Sequence, residues 1–375
     1  MMLQIREITS DKELDIFVNF PLELYKDNEY FVPPILSDEI KTLRKDKNPS
    51  FEFCEARYWM AYKDGKIVGR IAGILNSKAN EAWKQNNLRF GWVDFIDDME
   101  VSGALFGEVE KWAREKGLTH IEGPMGFCDL DKEGMLVEGF DKLSMMHSYY
   151  NYPYYPEHVE KLGYVKDVDW IELEKKNLSF PKTLKRIINI YEKKFHGYEA
   201  IDIKSSKDVT KYKPQIVELL NSSYEHIHGY IPINEKIFDH YFKDMFNHTN
   251  LDYVTVIKDA DNTIVGFGLA MPLLSKALRA TKGHLFPFGF VRVLRAFKKN
   301  DHVTLLLIAV RPNLQFKGIP LLIIDKINSN FLKNGVKTVQ VSHMLETNIN
   351  VLHLWTKHFN AQQNKRRRAY IKKID

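Results

Sequence analysis

Residues 305–320 read Leu-Leu-Leu-Ile-Ala-Val-Arg-Pro-Asn-Leu-Gln-Phe-Lys-Gly-Ile-Pro, an apolar strand that breaks at a proline and restarts as an apolar helix. The first turn of a helix has amide N–H groups with no carbonyl partner and a partial positive charge. Both suit a diphosphate. Gly318 lets the backbone approach such a ligand closely, Lys317 adds a cation, and the amides at Gly318 and Ile319 are the expected donors. Pro320 is well placed in a first helical turn but removes one N–H. Other reactive types are less telling. His226 and His228 stand two apart with no third ligand in view, so no metal is expected. Cys54 and Cys128 are far apart and lack metal spacing. They read as reduced thiols, with Cys128 a buried thiol rather than a nucleophile. The 276–299 segment carries seven Lys or Arg, four Phe and no acidic residue. In 290–299 the apolar and cationic residues fall mostly on opposite helix faces. That pattern suits either an interfacial helix or a helix packed on its own sheet with snorkelling cations.

These residues need elements to hold them. The chain has 375 residues, 44% hydrophobic and 27% charged, with a formal net charge of +5. That length suggests two domains, and the charge is too small to imply nucleic acid. The beginning of the sequence does not read as a signal peptide, and no apolar run is long enough for a membrane span. Two hairpins align: Ala61–Gly69 (Lys-Asp-Gly-Lys, then Ile-Val-Gly) and Val256–Gly266 (Lys-Asp, then Ile-Val-Gly). Each is followed by a strand, a helix and a strand, a recurrence that suggests duplication. In the first half, Ser102–Lys116 has helical apolar spacing, with Ser102 placed as cap and Gly117 as stop. In the second, helices are expected over Lys213–His228, Glu235–Asn247, Ile319–Lys333 and Asn348–His358. Strands are expected over His302–Val310, Lys337–His343 and Arg366–Ile371. The division is into domains 1–175 and 201–375 joined by a connecting helix in 176–200.

Val310, Pro312, Gln315 and Gly318 match the acetyl-CoA signature of the GNAT N-acetyltransferases, a V-x-P-x-x-[QR]-x-x-G-x-[GA] pattern, and the segment resembles it. Pro320 departs from the last position. The resemblance implies an α/β (α+β) fold: two GNAT-like domains, each a mixed central sheet flanked by helices. It also implies acetyl-CoA or a longer acyl-CoA as co-substrate, with Gln315, Lys317, Gly318 and Ile319 at the diphosphate. The pantetheine arm would pair along Ile308–Val310, and the Val310 N–H would meet the thioester oxygen. Asn348 fits the family's Asn at the start of the following helix. Trp355 occupies the place of the Tyr that protonates the leaving thiolate in many members, and an indole cannot do that. His343 and Glu346 are the base candidates. Tyr224, His228 and Tyr230 lie on the usual substrate-side segment. The first half has an acidic run, Ile96–Val101, where phosphates would sit, so it reads as a degenerate copy without CoA.

The chain also resembles a bacterial family of two-domain GNAT-like proteins. The matching pieces are Phe31–Pro34, Gly123–Met125, Leu136–Phe140, Tyr154–Pro156 and Leu285–Gly289. Some similar proteins are implicated in N-acylation of sphingoid bases, a bacterial ceramide synthase activity. The resemblance therefore implies transfer of an acyl group to a primary amine, with a small-molecule or lipid acceptor and no nucleic acid. The two separated thiols suit a cytoplasmic location, with membrane-surface contact at the inner face through the basic aromatic segment 276–299 as a variant. The alternative is a catalytically inactive GNAT-fold binding or membrane-associated protein, for which Trp355 and Pro320 speak.

Overall fold

The computed structural model describes residues 2–194 and 197–374. Thirteen strands follow in chain order: β1 (Leu3–Glu7), β2 (Cys54–Lys63), β3 (Lys66–Asn76), β4 (Asn87–Phe95), β5 (His120–Gly123), β6 (Met135–Glu138), β7 (Val165–Lys175), β8 (Glu199–Ile201), β9 (Val254–Lys258), β10 (Ile264–Pro272), β11 (His302–Val310), β12 (Thr338–Leu345) and β13 (Gln362–Lys373). They fall into two compact units. The first holds residues 1–170, 275–290 and 365–375, and the second 171–274 and 291–364.

In the first unit β1, β2, β3 and β4 are antiparallel neighbours. β5 then runs parallel to β4, and the chain's last strand, β13, pairs antiparallel with β5, Tyr370 opposite Gly123. All nine residues of β4 are buried, because helix Met99–Glu115 covers the sheet with Val101, Leu105, Phe106, Val109, Trp112 and Ala113. Ser102 is not the cap that its sequence position suggests. Asp98 caps the helix by accepting from the Glu100 amide at 2.9 Å, and Ser102 lies inside it, fully buried. Gly117, at φ +68°, does follow the helix end. β13 is also tied by charge: Arg366 and Arg368 reach Asp169 at 3.0 and 2.8 Å. Burial alone would raise that carboxyl, but the hydrogen bonds from Arg368 and Arg366 prevail and hold it below its usual range. Glu133, by contrast, is buried with its Oε1 unpartnered. Burial and the Asp129 charge push it well above the carboxylate range. Both cysteines are buried free thiols, and burial pushes Cys54 up to about 12.

The second unit repeats the order. β8, β9, β10 and β11 are antiparallel neighbours, and β12 runs parallel to β11 from His302↔Thr338 to Leu305↔Val341. β7, whose residues from Ile171 on belong to this unit, lies beside β12. Helix Ile319–Lys333 joins β11 to β12 and packs Ile319, Ile323, Ile324, Ile327 and Phe331 into a core with Leu305, Val310, Val339 and Val341. The helix expected from Lys213 starts earlier and ends earlier. It spans Ser206–Tyr224 with Pro214 inside, because Ser205 and Asp208 form a capping box that fixes the start upstream of the proline. The connecting helix spans Lys182–Lys194; residues 195 and 196 lie outside the described residues. Each unit thus has the same succession: hairpin, third strand, helix, parallel strand, then a strand supplied by the other half of the sequence.

Candidate functional site

β11 ends at Val310, and the chain turns sharply where Arg311 bonds back to β10. Its N–H donates to the Val265 carbonyl at 3.0 Å and its Nε to the Ile264 carbonyl at 3.0 Å. A short 3₁₀ turn, Pro312–Leu314, follows, and Lys317 N–H donates to Leu314 O at 3.0 Å. Gly318 sits at φ +91° immediately before the helix. Its carbonyl takes the amides of Leu321 and Leu322 at 3.0 and 3.2 Å. Among the described residues, the amides of Phe316, Gly318 and Ile319 have no hydrogen-bond partner. Gly318 and Ile319 are buried residues, and a buried unpaired amide is costly unless an acceptor meets it. Lys317 is exposed beside them.

The turn is covered on one side. The Tyr191 ring, from helix Lys182–Lys194, stands against Gly318: a Cβ built there would lie 2.4 Å from two ring carbons. Glycine is therefore required by the positive φ and by the ring, with or without a ligand. The three amides and Lys317 fit a diphosphate, and Pro320 contributes no N–H to it.

Gln315 is engaged within the protein. Its Nε2 donates to the Val310 carbonyl at 3.3 Å and to Ser223 O at 3.5 Å, so it ties the turn to β11. The Ile308–Val310 edge is not bare either. Tyr224 OH donates to Ile308 O at 3.0 Å and Ser223 Oγ to Val310 O at 2.8 Å. A pantetheine arm would find both carbonyls already bonded: Ile308 O keeps one lone pair, while Val310 O already accepts from Ser223 and Gln315. Tyr224 is thereby brought to the strand, and burial raises its phenol above the ordinary value. Tyr230 lies edge-on to it at 5.7 Å and donates to Asn221 Oδ1 at 2.8 Å. His228 is half-buried two residues before Tyr230.

The pairing of β11 with β12 ends at Leu305↔Val341, though both strands continue. His343 lies on β12 beyond the register that it shares with β11. Its side chain is 16% exposed, and Nε2 is 3.2 Å from Oε1 of Glu172, which is 1% exposed. A carboxylate buried against an imidazole fixes the ring's orientation. Glu172 is the residue that sequence reasoning missed. It lies on β7, far from His343 in the chain, and no local pattern marks it. Glu346 follows β12, half-buried, in the turn that leads to Asn348, and Asn348 immediately precedes helix Ile349–His353. Trp355 faces inward: it is buried and packs on Phe359 at 4.8 Å. The position is thus occupied by a core residue. Among the described residues, no group of three or more His, Cys, Asp or Glu side chains is arranged to hold a metal.

The corresponding turn of the first unit is filled by its own side chains. Lys63 Nζ bonds Asp98 at 2.7 Å and Glu100 at 3.2 Å. His158 bridges Asp97 and Ser102 at 3.0 Å each.

This succession of strands and helices, twice over, is the fold of the tandem GNAT proteins. A solved tandem GNAT protein from the clavulanic acid biosynthesis pathway superposes with a TM-score of 0.59 at 11% identity, covering 99% of this chain and 98% of that one. No protein-family model matches the chain. In sequence it is 29% identical to Protein YghO of Escherichia coli K12, over 99% of this chain and 95% of the other. It is 23% identical to the bacterial ceramide synthase of Caulobacter vibrioides, over 94% and 93%.

Proposed function

We propose that this protein is an acyl-CoA-dependent N-acyltransferase whose acceptor is a primary amine, lipid-like rather than small and polar. The observation that carries the reading is the set of unpaired amides at Phe316, Gly318 and Ile319, at the end of a strand whose pairing with its parallel neighbour stops at Leu305. The full-length relationship to a bacterial ceramide synthase supports the acceptor class.

Acyl-CoA would supply the acyl group as a thioester, its diphosphate at those amides and at Lys317. His343, held by Glu172, takes the proton that the amine must lose as the C–N bond forms. The Val310 N–H remains the candidate donor to the thioester oxygen. Tyr224, whose phenol burial keeps protonated, is the candidate proton donor to the departing thiolate, the role Trp355 cannot fill. A catalytically inactive fold is the second reading, and the Tyr191 ring against Gly318 is the observation that favours it.

Mass spectrometry of products from purified protein, palmitoyl-CoA and a panel of long-chain and short polar amines tests the first reading. Titration calorimetry with CoA accompanies it. An amide product from a long-chain amine, and CoA affinity lowered about tenfold by Lys317→Glu, are expected. CoA binding without product would support the second reading, and no CoA binding would overturn the first.

A further inference from the structure

The segment 275–290 belongs to the first unit and presents an apolar surface that the acyltransferase reading does not use. Phe286 is 81% exposed, Phe288 78% and Phe290 39%, with Pro287 exposed between them. Phe286 and Phe290 approach ring to ring at 6.1 Å. The rings are held outward by a fixed turn. Leu278 is fully buried, Ser275 Oγ donates to Ser144 O at 2.8 Å, and Leu36 N–H donates to Gly283 O at 3.2 Å. Gly283, at φ +76°, lies so close to the chain that a Cβ would be 2.3 Å from Pro34 O. Phe290 N–H closes the turn on Leu285 O at 2.7 Å. The helix that follows, Gly289–Lys298, buries Val293 and Phe297, so its own apolar face is already covered. The exposed aromatics are Phe286 and Phe288 in the turn and Phe290 in the helix's first turn.

Charge distinguishes the partner. Lys276, Arg279 and Lys282 are exposed on the same segment. Among the described residues none of them has an ion-pair or hydrogen-bonded acidic partner, and residues 276–299 contain no Asp or Glu. Large exposed apolar groups beside unneutralised cations suit a surface with an apolar interior and an anionic face. The continuous apolar run Leu285–Phe288 suits acyl chains better than a nucleic acid, whose bases would need polar partners as well as stacking.

We propose that the 276–290 turn docks the protein on an anionic lipid surface, with Phe286, Phe288 and Phe290 entering the acyl boundary and Lys276, Arg279 and Lys282 meeting the headgroups. The turn is built before it binds, so little ordering opposes docking.

The test is co-sedimentation of the full chain with vesicles of phosphatidylcholine alone and of phosphatidylcholine with about a quarter phosphatidylserine. No CoA or amine is added, so the outcome is independent of acyl transfer. Binding is expected with the anionic vesicles only, weakened by about 0.5 M salt. Phe286→Ser/Phe288→Ser should lower partitioning about tenfold or more. Lys276→Glu/Arg279→Glu/Lys282→Glu should lower it about a hundredfold, at roughly fivefold or slightly less per cation. Melting of both variants should match the wild type, as exposed positions allow. Absence of binding to anionic vesicles would overturn the proposal, as would wild-type partitioning of both variants. So would a preference for single-stranded RNA over vesicles in competition.

Discussion

Gly318→Ala measures how much of the second unit's stability rests on one missing side chain. An L-residue at φ +91° pays the left-handed penalty of about 1–2 kcal/mol. The new methyl would lie 2.4 Å from Cδ1 and Cγ of Tyr191, more than an ångström inside ordinary contact at ~3.5–4 Å. Moving the ring costs a further ~1–3 kcal/mol. The sum, about 2–5 kcal/mol, corresponds to a fall in Tm of roughly 4–20 °C at ~2–4 °C per kcal/mol for a unit of this size. Thermal unfolding followed by circular dichroism reads it directly. Tyr191→Ala in the Gly318→Ala background should recover the ring's share and leave the backbone's. An unchanged Tm in Gly318→Ala, or no recovery in the double variant, would refute the assignment. Tyr191→Ala alone should tighten CoA binding in calorimetry, since the ring covers one side of the turn at Gly318. Weaker binding would make the ring part of the ligand's floor instead of its cover.

Three further outcomes are expected. His343→Ala should lower kcat by about 10²–10⁴ and Glu172→Gln by about tenfold, with KM for acyl-CoA unchanged in both; a loss seen in KM alone would remove His343 from the chemistry. Asp169 has a folded value below its unfolded one, so its contribution is full above the ordinary Asp range of about 4 and disappears as pH falls through the lowered value. Asp169→Asn should therefore destabilise at neutral pH and flatten the acid limb of a Tm-versus-pH curve. Glu133 is the opposite case: its raised value means that the folded state holds a proton the unfolded chain releases, so stability declines as pH rises from the ordinary Glu range through the folded value. Glu133→Gln should raise Tm, with a gain that grows as pH rises above the ordinary Glu range; a gain that shrinks as pH rises would contradict it.

The sequence made the repeated elements visible because each is periodic within itself. The two hairpins, the Ile319–Lys333 helix and the His302–Val310 strand lie where alternation, helical spacing and Gly punctuation put them. The turn before Ile319 was legible for the same reason, since strand, proline, glycine and helix are adjacent in sequence. What escaped notice depends on distant residues. Glu172 meets His343, Tyr191 covers Gly318, and Tyr224 takes the Ile308 carbonyl, each across a gap with no periodicity to betray it. The cap at Ser102 was read one turn late, because an interior serine and a capping serine look alike until the helix start is known.

The placement of β13 has a consequence for how the chain is made. The first unit's sheet receives Tyr370–Lys373 against Gly123–His120, yet residues 171–364 must leave the ribosome before that strand exists. At ~5–20 residues per second the interval is about 10–40 s, during which β5 offers an open edge to any passing strand. A gene severed near codon 200 would deliver a first half permanently in that condition, whereas co-expressing the remainder would return the missing strand in trans.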